Sequence, residues 1–255
     1  MPPSRSQMTL WVSPVLWAGA LCLVLGLALF FGGAQRPTWQ PVAPGVHHRR
    51  LDARDVKADL LRFDLDLFEL RVEVLGQAHA STAAGAASRF GSVLAINGGF
   101  FDPQWRSLGL RVSHGETKIP LRPRVDWGVL ALAERRARIV HSRDHNPKAA
   151  VDAAIQVGPR LLVDGKPTQL KPQLAYRSAV AVDPTGRLLT FVSTRVPVEA
   201  GALAAALARL EEFQAALLLD GGPSSQLYVQ LPGFSLDRPG AYPVPDLVLI
   251  HPRTP

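Results

Sequence analysis

The sequence predicts an α+β domain in which a mixed or largely antiparallel β-sheet carries a few packed helices. Three observations favour this class. Segments of alternating polar and apolar residues recur after the N-terminal region, as in strands with one solvent-facing side. Several are joined by short sequences with turn-forming aspartate, proline and glycine. Only two segments, residues 81–90 and 200–213, have the pattern of helices.

The first elements come between residues 59 and 116. Residues 59–75 alternate polar and apolar side chains and predict strands with one wet face. Residues 81–90 predict a short helix capped by Ser81 or Thr82. A buried strand is expected before Asn97, and residues 109–116 are expected to form a strand that runs into a turn.

The second half of the chain continues the pattern. Residues 127–140 predict a hairpin around Glu134-Arg135-Arg136, and residues 178–193 predict another around an Asp-Pro-Thr-Gly turn. Residues 154–167 hold two strands and an Asp-Gly turn, whereas residues 200–213 predict an amphipathic helix. Residues 244–252 predict the closing strand, so most of the domain is expected to be sheet.

Residues 1–35 are predicted to be a membrane segment that precedes the domain. From Thr9 to Ala34 no charged residue occurs, and about 20 apolar residues are enough to cross a bilayer core. Both an uncleaved signal anchor and a cleaved signal peptide fit, because Gly32 and Ala34 are small residues at plausible cleavage positions. Arg5 lies before the segment, so the rest of the chain is expected outside the cytoplasm, membrane-anchored or secreted.

A proline-rich linker is predicted over residues 36–46, and a domain over residues 47–255. The only cysteine, Cys22, lies in the predicted membrane segment, so the domain has no disulfide, cysteine zinc site or thiol nucleophile. The net charge of +7 is scattered without a basic run, so we expect mild attraction to anionic partners and no nucleic acid.

Two apolar segments end in the same way. One ends in Asn97-Gly98-Gly99, and the other in Asp220-Gly221-Gly222. Asn-Gly and Asp-Gly are common hairpin turns, which is one interpretation. The sequences that follow do not resemble partner strands, which favours a second interpretation. In this one the side chains converge on one pocket, and the glycine amides form a concave site for an anion.

Five segments follow one another along the chain, namely AINGGFF, GLRVSHGE, QVGPRLLVDGK, RSAVAVDPTGRL and LLLDGGPSSQLYV. Together, and in this order, they resemble the phosphodiester glycosidase family, and the resemblance covers about residues 90–250. It implies hydrolysis of a sugar-1-phosphodiester and points to Asn97 with its glycines, Arg177, and Asp220 with the residues after it. The family pattern commonly reads Asp-Gly-Gly-Gly-Ser-Ser, whereas Pro223 replaces the third glycine here and removes one N–H donor.

The chemistry suits these residue types. A phosphodiester carries one negative charge, which the planar guanidinium of Arg177 can bind. Cleavage of the sugar C1–O bond releases a phosphomonoester with a second pKa of about 6, so little general-acid help is needed. Asp220 is therefore expected to activate water or stabilise a sugar cation. Asn97 is expected to orient the water or a sugar hydroxyl, and Asp102 is either a second carboxylate or the opener of an Asp-Pro turn.

The remaining expected substrate contacts are the glycine amides and two hydroxyls, namely Gly98, Gly99, Gly221, Gly222, Ser224 and Ser225. No cofactor and no metal is expected. His141 and His145 have a metal-ligand spacing only on a helix, whereas a loop is predicted there. His114 is either a pocket or a turn residue. Trp105 and Trp127 either stack on sugars or belong to the core.

Two functions follow from the resemblance. The first is a hydrolase acting on sugar-1-phosphodiesters of envelope or exopolysaccharide glycans, in the bacterial cell envelope. Its partners would be a phosphorylated glycan and, through the N-terminal segment, the membrane. The second is a non-catalytic glycan-binding protein that assists exopolysaccharide biosynthesis or export. A carboxylate beside an anionic ligand weakens binding and therefore favours the enzyme.

Overall fold

Short β-strands make up most of the structure. The computed structural model describes residues 38–254, of which residues 39–254 belong to one compact unit. The strands of the described part are β1 (Gln40–Ala43), β2 (Val46–Ala53), β3 (Val56–Asp64), β4 (Phe68–Val74), β5 (Leu94–Asn97), β6 (Arg111–Ser113), β7 (Glu116–Ile119), β8 (Gly128–Ala133), β9 (Arg136–His141), β10 (Ala153–Val157), β11 (Arg160–Val163), β12 (Lys166–Pro167), β13 (Leu174–Ala175), β14 (Ser178–Val182), β15 (Leu188–Thr194), β16 (Val198–Glu199), β17 (Ala215–Leu218), β18 (Leu227–Leu231), β19 (Phe234–Arg238) and β20 (Asp246–Pro252).

These strands form three large sheets and one small one. Sheet I has eight strands in the order β1-β2-β3-β15-β14-β17-β11-β12. Sheet II has the order β7-β6-β10-β8-β9, and sheet III has the order β19-β18-β5-β20-β4. Strands β13 and β16 pair separately. The paired strands run antiparallel, so the prediction of largely antiparallel sheet is confirmed.

One apolar cluster lies between the three large sheets. Phe63 and Phe191 enter it from sheet I, Leu130 from sheet II, and Ile96 and Val248 from sheet III. All five side chains are fully buried. The cluster is continuous because alternate residues of each strand point to the same side of its sheet.

Two α-helices cover the outer faces of two sheets. Helix α1 (Ala83–Phe90) packs on sheet III, and its N-cap Thr82 accepts a hydrogen bond from the Gly85 N–H at 3.1 Å, as one of the two predicted caps. Helix α2 (Ala200–Ala208) packs on sheet I. It ends before the predicted residue 213, and Glu211 has a left-handed φ of 57° that is incompatible with a continuing helix. Three 3-10 turns complete the helical structure of the described chain, at Gln77–His79, Ser142–Asp144 and Gly222–Ser224.

The predicted hairpins are confirmed, but the two glycine-pair segments are not hairpins. Strands β8 and β9 pair around Glu134 and Arg135, and strands β14 and β15 pair around the Asp-Pro-Thr-Gly turn. In contrast, β5 pairs with β18 and β20, while β17 pairs with β14 and β11. The chain after β17 therefore passes from sheet I to β18 of sheet III, and Asp220 lies in this crossover.

The predicted linker overlaps the folded unit. Gln40–Ala43, which we predicted to be part of the linker at 36–46, forms the edge strand β1 paired with β2. Trp39 packs next to it, where its indole N–H donates to Glu212 at 2.7 Å and Arg62 stacks on its ring. This part of the linker prediction is wrong, because pairing with β2 and the contacts of Trp39 order the segment.

The predicted membrane segment, residues 1–35, lies outside the described residues. Within residues 38–254, neither α-helix has the length and apolar character that a bilayer crossing requires.

Candidate active site

The ends of β5 and β17 meet where sheets I and III come together. The Asn97 side-chain amide donates to the Asp220 carbonyl at 2.9 Å, and the Asp220 N–H donates to the Gly98 carbonyl at 3.0 Å. Arg177 lies beside the crossover, since a Cβ added to Gly221 would be 3.5 Å from its Nη1. The structure thus brings together the three residues predicted to form the centre of the site.

Asn97 is fully buried, and its side chain forms its hydrogen bonds with backbone groups of the protein. Its Nδ2 donates to the Gly98 and Asp220 carbonyls, and its Oδ1 accepts from the Gln226 N–H at 3.1 Å. These bonds fasten both ends of the crossover to β5. The expectation that Asn97 orients a water or a sugar hydroxyl does not agree with this geometry, which makes Asn97 a positioning residue.

The first glycine pair makes room for a buried ion pair. Arg111 donates from Nη2 to Asp246 Oδ2 at 3.1 Å, and both side chains are 0% exposed. A Cβ on Gly98 would lie 1.7 Å from Asp246 Oδ1, and one on Gly99 would lie 2.4 Å from Arg111 Nη2. Only glycine fits at either position, because any side chain would overlap the ion pair.

The backbone amides expected to bind an anion are already bonded. The Gly98 and Gly99 N–H groups donate to the carbonyl and to Oδ1 of Asp246, at 3.0 and 2.8 Å. The Gly221 N–H donates to Asp220 Oδ1, and the Gly222 N–H donates to the Tyr176 carbonyl, both at 2.9 Å. The predicted anion nest is therefore wrong, since it would require these four donors to be free.

Pro223 fits the crossover as it stands. It occupies the first turn of the 3-10 helix Gly222–Ser224, where proline is favoured because no N–H donor is required. Gly222 before it has a φ of 62°, which glycine adopts without strain. The departure from the family pattern therefore costs no hydrogen bond inside the protein.

Arg177 is a buried cation without a matching carboxylate. Its side chain is 9% exposed and donates to the carbonyls of Val198, at 3.3 Å, and Gln173. Among residues 38–254, no Asp or Glu lies within ion-pairing distance of its guanidinium, and burial lowers its pKa. A buried charge of this kind is costly unless an anion binds next to it.

Asp220 is a partly buried acid whose surroundings raise its pKa. Burial raises its pKa above the ordinary value of 3.8, and the negative charge of Asp246 raises it further. Hydrogen bonds from Ser224 and the Gly221 N–H, together with the charge of Arg111, oppose the increase without cancelling it. A carboxyl with a raised pKa holds its proton to higher pH than a free carboxyl does, which is a property of groups that act in acid-base catalysis.

The two predicted hydroxyls have different environments. The Ser224 Oγ is buried and lies 3.3 Å from the Tyr242 hydroxyl. The Tyr242 ring in turn faces Trp105, with 6.2 Å between ring centroids. The Ser225 Oγ is buried without a hydrogen-bond partner in the described chain, although Ser225 itself borders a cleft. Trp105 thus lies near the crossover, whereas Trp127 packs edge-on against Phe100.

The contacts of the other candidate residues do not indicate a role in the site. Asp102 accepts from the Gln104 and Arg106 N–H groups and pairs with the Arg106 guanidinium, which lowers its pKa and matches the turn interpretation. His114 lies in the β6–β7 turn with a φ of 50°. His141 is the last residue of β9 and bonds Asp126 at 2.9 Å, and no metal-binding group of side chains occurs among residues 38–254.

A cleft of about 860 Å³ adjoins the crossover. Tyr176, Gly222 and Ser225 line it, so it is bordered by the chain neighbours of Arg177 and Asp220 rather than by those two side chains. Arg195 and Arg238 also line it. The volume falls in the range of pockets that bind small molecules.

Sequence reasoning missed three residues that build the site. Arg111 and Asp246 form the ion pair behind the glycines, and the buried Gln226 bonds Asn97, the Ser224 and Tyr242 carbonyls and the Ala83 N–H. A signal existed for Arg111 and Asp246, since these charged residues interrupt otherwise apolar strands in GLRVS and PDLVLI. Charges at such positions are seldom buried unless they are paired.

The folded unit is therefore an α+β domain. Its candidate site contains a protonatable carboxylate and a buried arginine at the junction of two antiparallel sheets. Residues 90–251 match the family model described as phosphodiester glycosidase (NAGPA), so the chain belongs to that family. The resemblance found in the sequence is confirmed, and the family supports a hydrolase-like domain. No curated protein matches the sequence significantly.

Solved structures are similar to the chain in fold. One is the catalytic domain of zebrafish N-acetylglucosamine-1-phosphodiester alpha-N-acetylglucosaminidase, auto-inhibited by its pro-peptide. It has a TM-score of 0.62 and 18% identity, over 86% of this chain and 82% of that one. A hypothetical protein from Synechocystis has a TM-score of 0.60 and 16% identity, over 86% of this chain and 65% of that one. At these identities the likeness concerns the fold.

Proposed function

We propose that the protein hydrolyses a sugar-1-phosphodiester at the crossover between β17 and β18. The observation that carries the proposal is the buried Arg177, which has no carboxylate partner in the described chain and lies beside the backbone of Asp220-Gly221. A monoanionic phosphodiester supplies the missing charge and brings its sugar C1 towards Asp220. Membership of the family supports the same reaction class.

The reaction assigned to the site is substitution at the sugar C1. Asp220, in its ionised form, accepts a proton from water while the water oxygen bonds to C1. The C1–O bond to phosphate breaks, its electron pair leaves with the phosphomonoester, and the proton passes from Asp220 to solvent. Asp220 must be ionised to act as the base, so kcat/KM is expected to rise with pH through its raised pKa.

The position of the protein in the cell is part of the proposal. The apolar segment 1–35 would hold or direct the domain to the outer side of the membrane, where phosphorylated envelope or exopolysaccharide glycans occur. The cell envelope is therefore the proposed place of action.

Replacement of the proposed base is the direct test. Asp220→Asn keeps the shape and the acceptor for the Gly221 N–H but removes the base, so kcat/KM on sugar-1-phosphodiesters should fall about 10²–10⁴-fold. Asp102→Asn, at a carboxylate that is held by its own loop, should retain activity. Wild-type turnover on a chromogenic phosphodiester panel is measured first. Binding without turnover across the panel would favour the glycan-binding alternative, and full activity of Asp220→Asn would remove Asp220 from the mechanism.

Hydrolysis in ¹⁸O-labelled water identifies the bond that breaks. Label in the released sugar is expected, because water attacks C1. Label in the phosphate would mean attack at phosphorus and would replace the glycosidase proposal by a phosphodiesterase.

A further inference from the structure

The cleft beside the crossover has a basic lining. Arg195 and Arg238 line it, and no acidic side chain is among the described residues that line it. Gly222 and Ser225, which follow Asp220 in the crossover, line the same cleft. The cleft therefore adjoins both the crossover that carries Asp220 and the two arginines.

The two arginines belong to a cluster with an excess of positive charge. Arg238 donates to the buried Asp59 at 2.8 Å, and Arg195 and Arg50 lie 3.8 and 3.9 Å from the same carboxylate. Arg195 also pairs with Asp52. Three guanidinium groups thus face two carboxylates, before any charge on His48, which bonds Asp59 at 3.0 Å. The cluster therefore has a net positive charge, which attracts a further anion.

The lining of the cleft also offers apolar surface. Leu174 and Tyr176 are 70% and 47% exposed, although both are large and apolar. An apolar face beside polar donors is the surface that a sugar ring binds, since its C–H face packs on the side chains while its hydroxyls form hydrogen bonds.

We infer that this cleft is a leaving-group subsite that selects a phosphate ester whose aglycone is an acidic sugar, with a carboxylate or second phosphate held by Arg195 and Arg238. The inference rests on the proposed function, because it assigns the sugar-1-phosphate bond to Asp220. Carboxylate and phosphate share the geometry that guanidinium groups recognise, so both are anionic ligands of the same subsite.

Matched substrates test the subsite. One sugar-1-phosphodiester carries a neutral hexose as its leaving group, and two others carry the corresponding hexuronic acid and hexose phosphate. For the wild-type full chain, kcat/KM should be about tenfold or more higher with an acidic leaving group. Arg238→Gln should reduce this acidic-to-neutral ratio about tenfold, and Arg238→Lys should restore part of it. Arg187→Gln, which removes an arginine paired with Asp64 and Asp66 away from the cleft, should leave the ratio unchanged.

The outcomes separate this inference from the proposed function. Turnover with an equal rate on neutral and acidic leaving groups would overturn the subsite and leave the hydrolase standing. If no phosphodiester is turned over, calorimetry with a uronic-acid oligosaccharide and with a hexose phosphate decides. Binding that weakens about tenfold in Arg238→Gln but not in Arg187→Gln would support the subsite, and equal binding by all three proteins would overturn it. Thermal unfolding of each variant verifies that Arg238→Gln folds.

Discussion

At the scale of single residues, burial decides the chemistry of Asp220 and Arg177. Burial raises the pKa of Asp220, whereas that of Asp102 is lowered by hydrogen bonds and charge from Arg106. The two carboxyls look alike in the sequence, since each lies within a few residues of a glycine pair. Their different surroundings give one a site role and the other a role in its own loop.

The raised pKa of Asp220 predicts how stability depends on pH. Between the ordinary value of 3.8 and the raised value, the folded protein binds more protons than the unfolded chain, so the free energy of unfolding falls as pH rises through this window. Asp220→Asn should therefore be more stable than wild type at pH 7, and the difference should shrink below pH 4. Asp102→Asn should show the opposite sign at pH 7, because its pKa is lowered. Chemical denaturation at several pH values measures both, and a gain for Asp220→Asn that does not change with pH would contradict the assignment.

The space at Gly98 predicts a large effect of a single methyl group. A Cβ there would overlap Asp246 Oδ1, so Gly98→Ala should lower the free energy of unfolding by about 3 kcal/mol or more. Gly201→Ala is the matched control, because it adds a methyl group to helix α2 where no atom lies within 4 Å. It should stabilise the protein by about 0.5–1 kcal/mol. Equal effects in urea unfolding would mean that the ion pair moves to accommodate the methyl group.

At the scale of elements, the Arg111–Asp246 pair joins sheets II and III behind the site. Arg111 begins β6 and Asp246 begins β20, and Arg111 Nη1 also donates to the carbonyls of Leu108, Leu110 and Gln156. Gly98 and Gly99, which directly follow β5, lie against this pair. The pair therefore sets where β5 ends, and thereby where Asn97 holds the crossover.

A double-mutant cycle tests the pair. Arg111→Met and Asp246→Asn should each cost about 3–5 kcal/mol, since each leaves a buried charge alone, and the double variant should cost less than their sum. The control is the pair of Arg136 and Asp66, whose side chains are 48% and 34% exposed and whose removal should cost about 0–1 kcal/mol. Additive losses at Arg111 and Asp246 would show that the two charges are not coupled.

At the scale of the whole molecule, the site depends on the docking of sheets I and III. The central cluster takes side chains from all three large sheets, so the described unit has one shared core. The crossover from β17 to β18 can be held in place only when both sheets are packed on that core. Loss of the core should therefore remove fold and site together.

The shared core predicts one cooperative unfolding transition. Phe63 is fully buried and contacts Phe68 and Phe191 edge-on, so Phe63→Ala should lower the free energy of unfolding by about 3–5 kcal/mol. It should shift a single transition seen equally by circular dichroism and tryptophan fluorescence. Two separated transitions in either protein would mean that the sheets fold independently.

The sequence by itself determined a strand-rich α+β domain, the hairpins, a helix cap at Ser81 or Thr82 and the family, because these follow from local patterns of turns, alternation and ordered motifs. It also predicted that Asn97, Arg177 and Asp220 lie together. Only the tertiary structure explains why glycine occupies positions 98 and 99. Arg111 and Asp246, 135 positions apart, meet behind Gly98 and Gly99, and their packing consumes the amides that the sequence assigned to an anion. Such contacts depend on how sheets pack across long separations, which local sequence patterns do not encode.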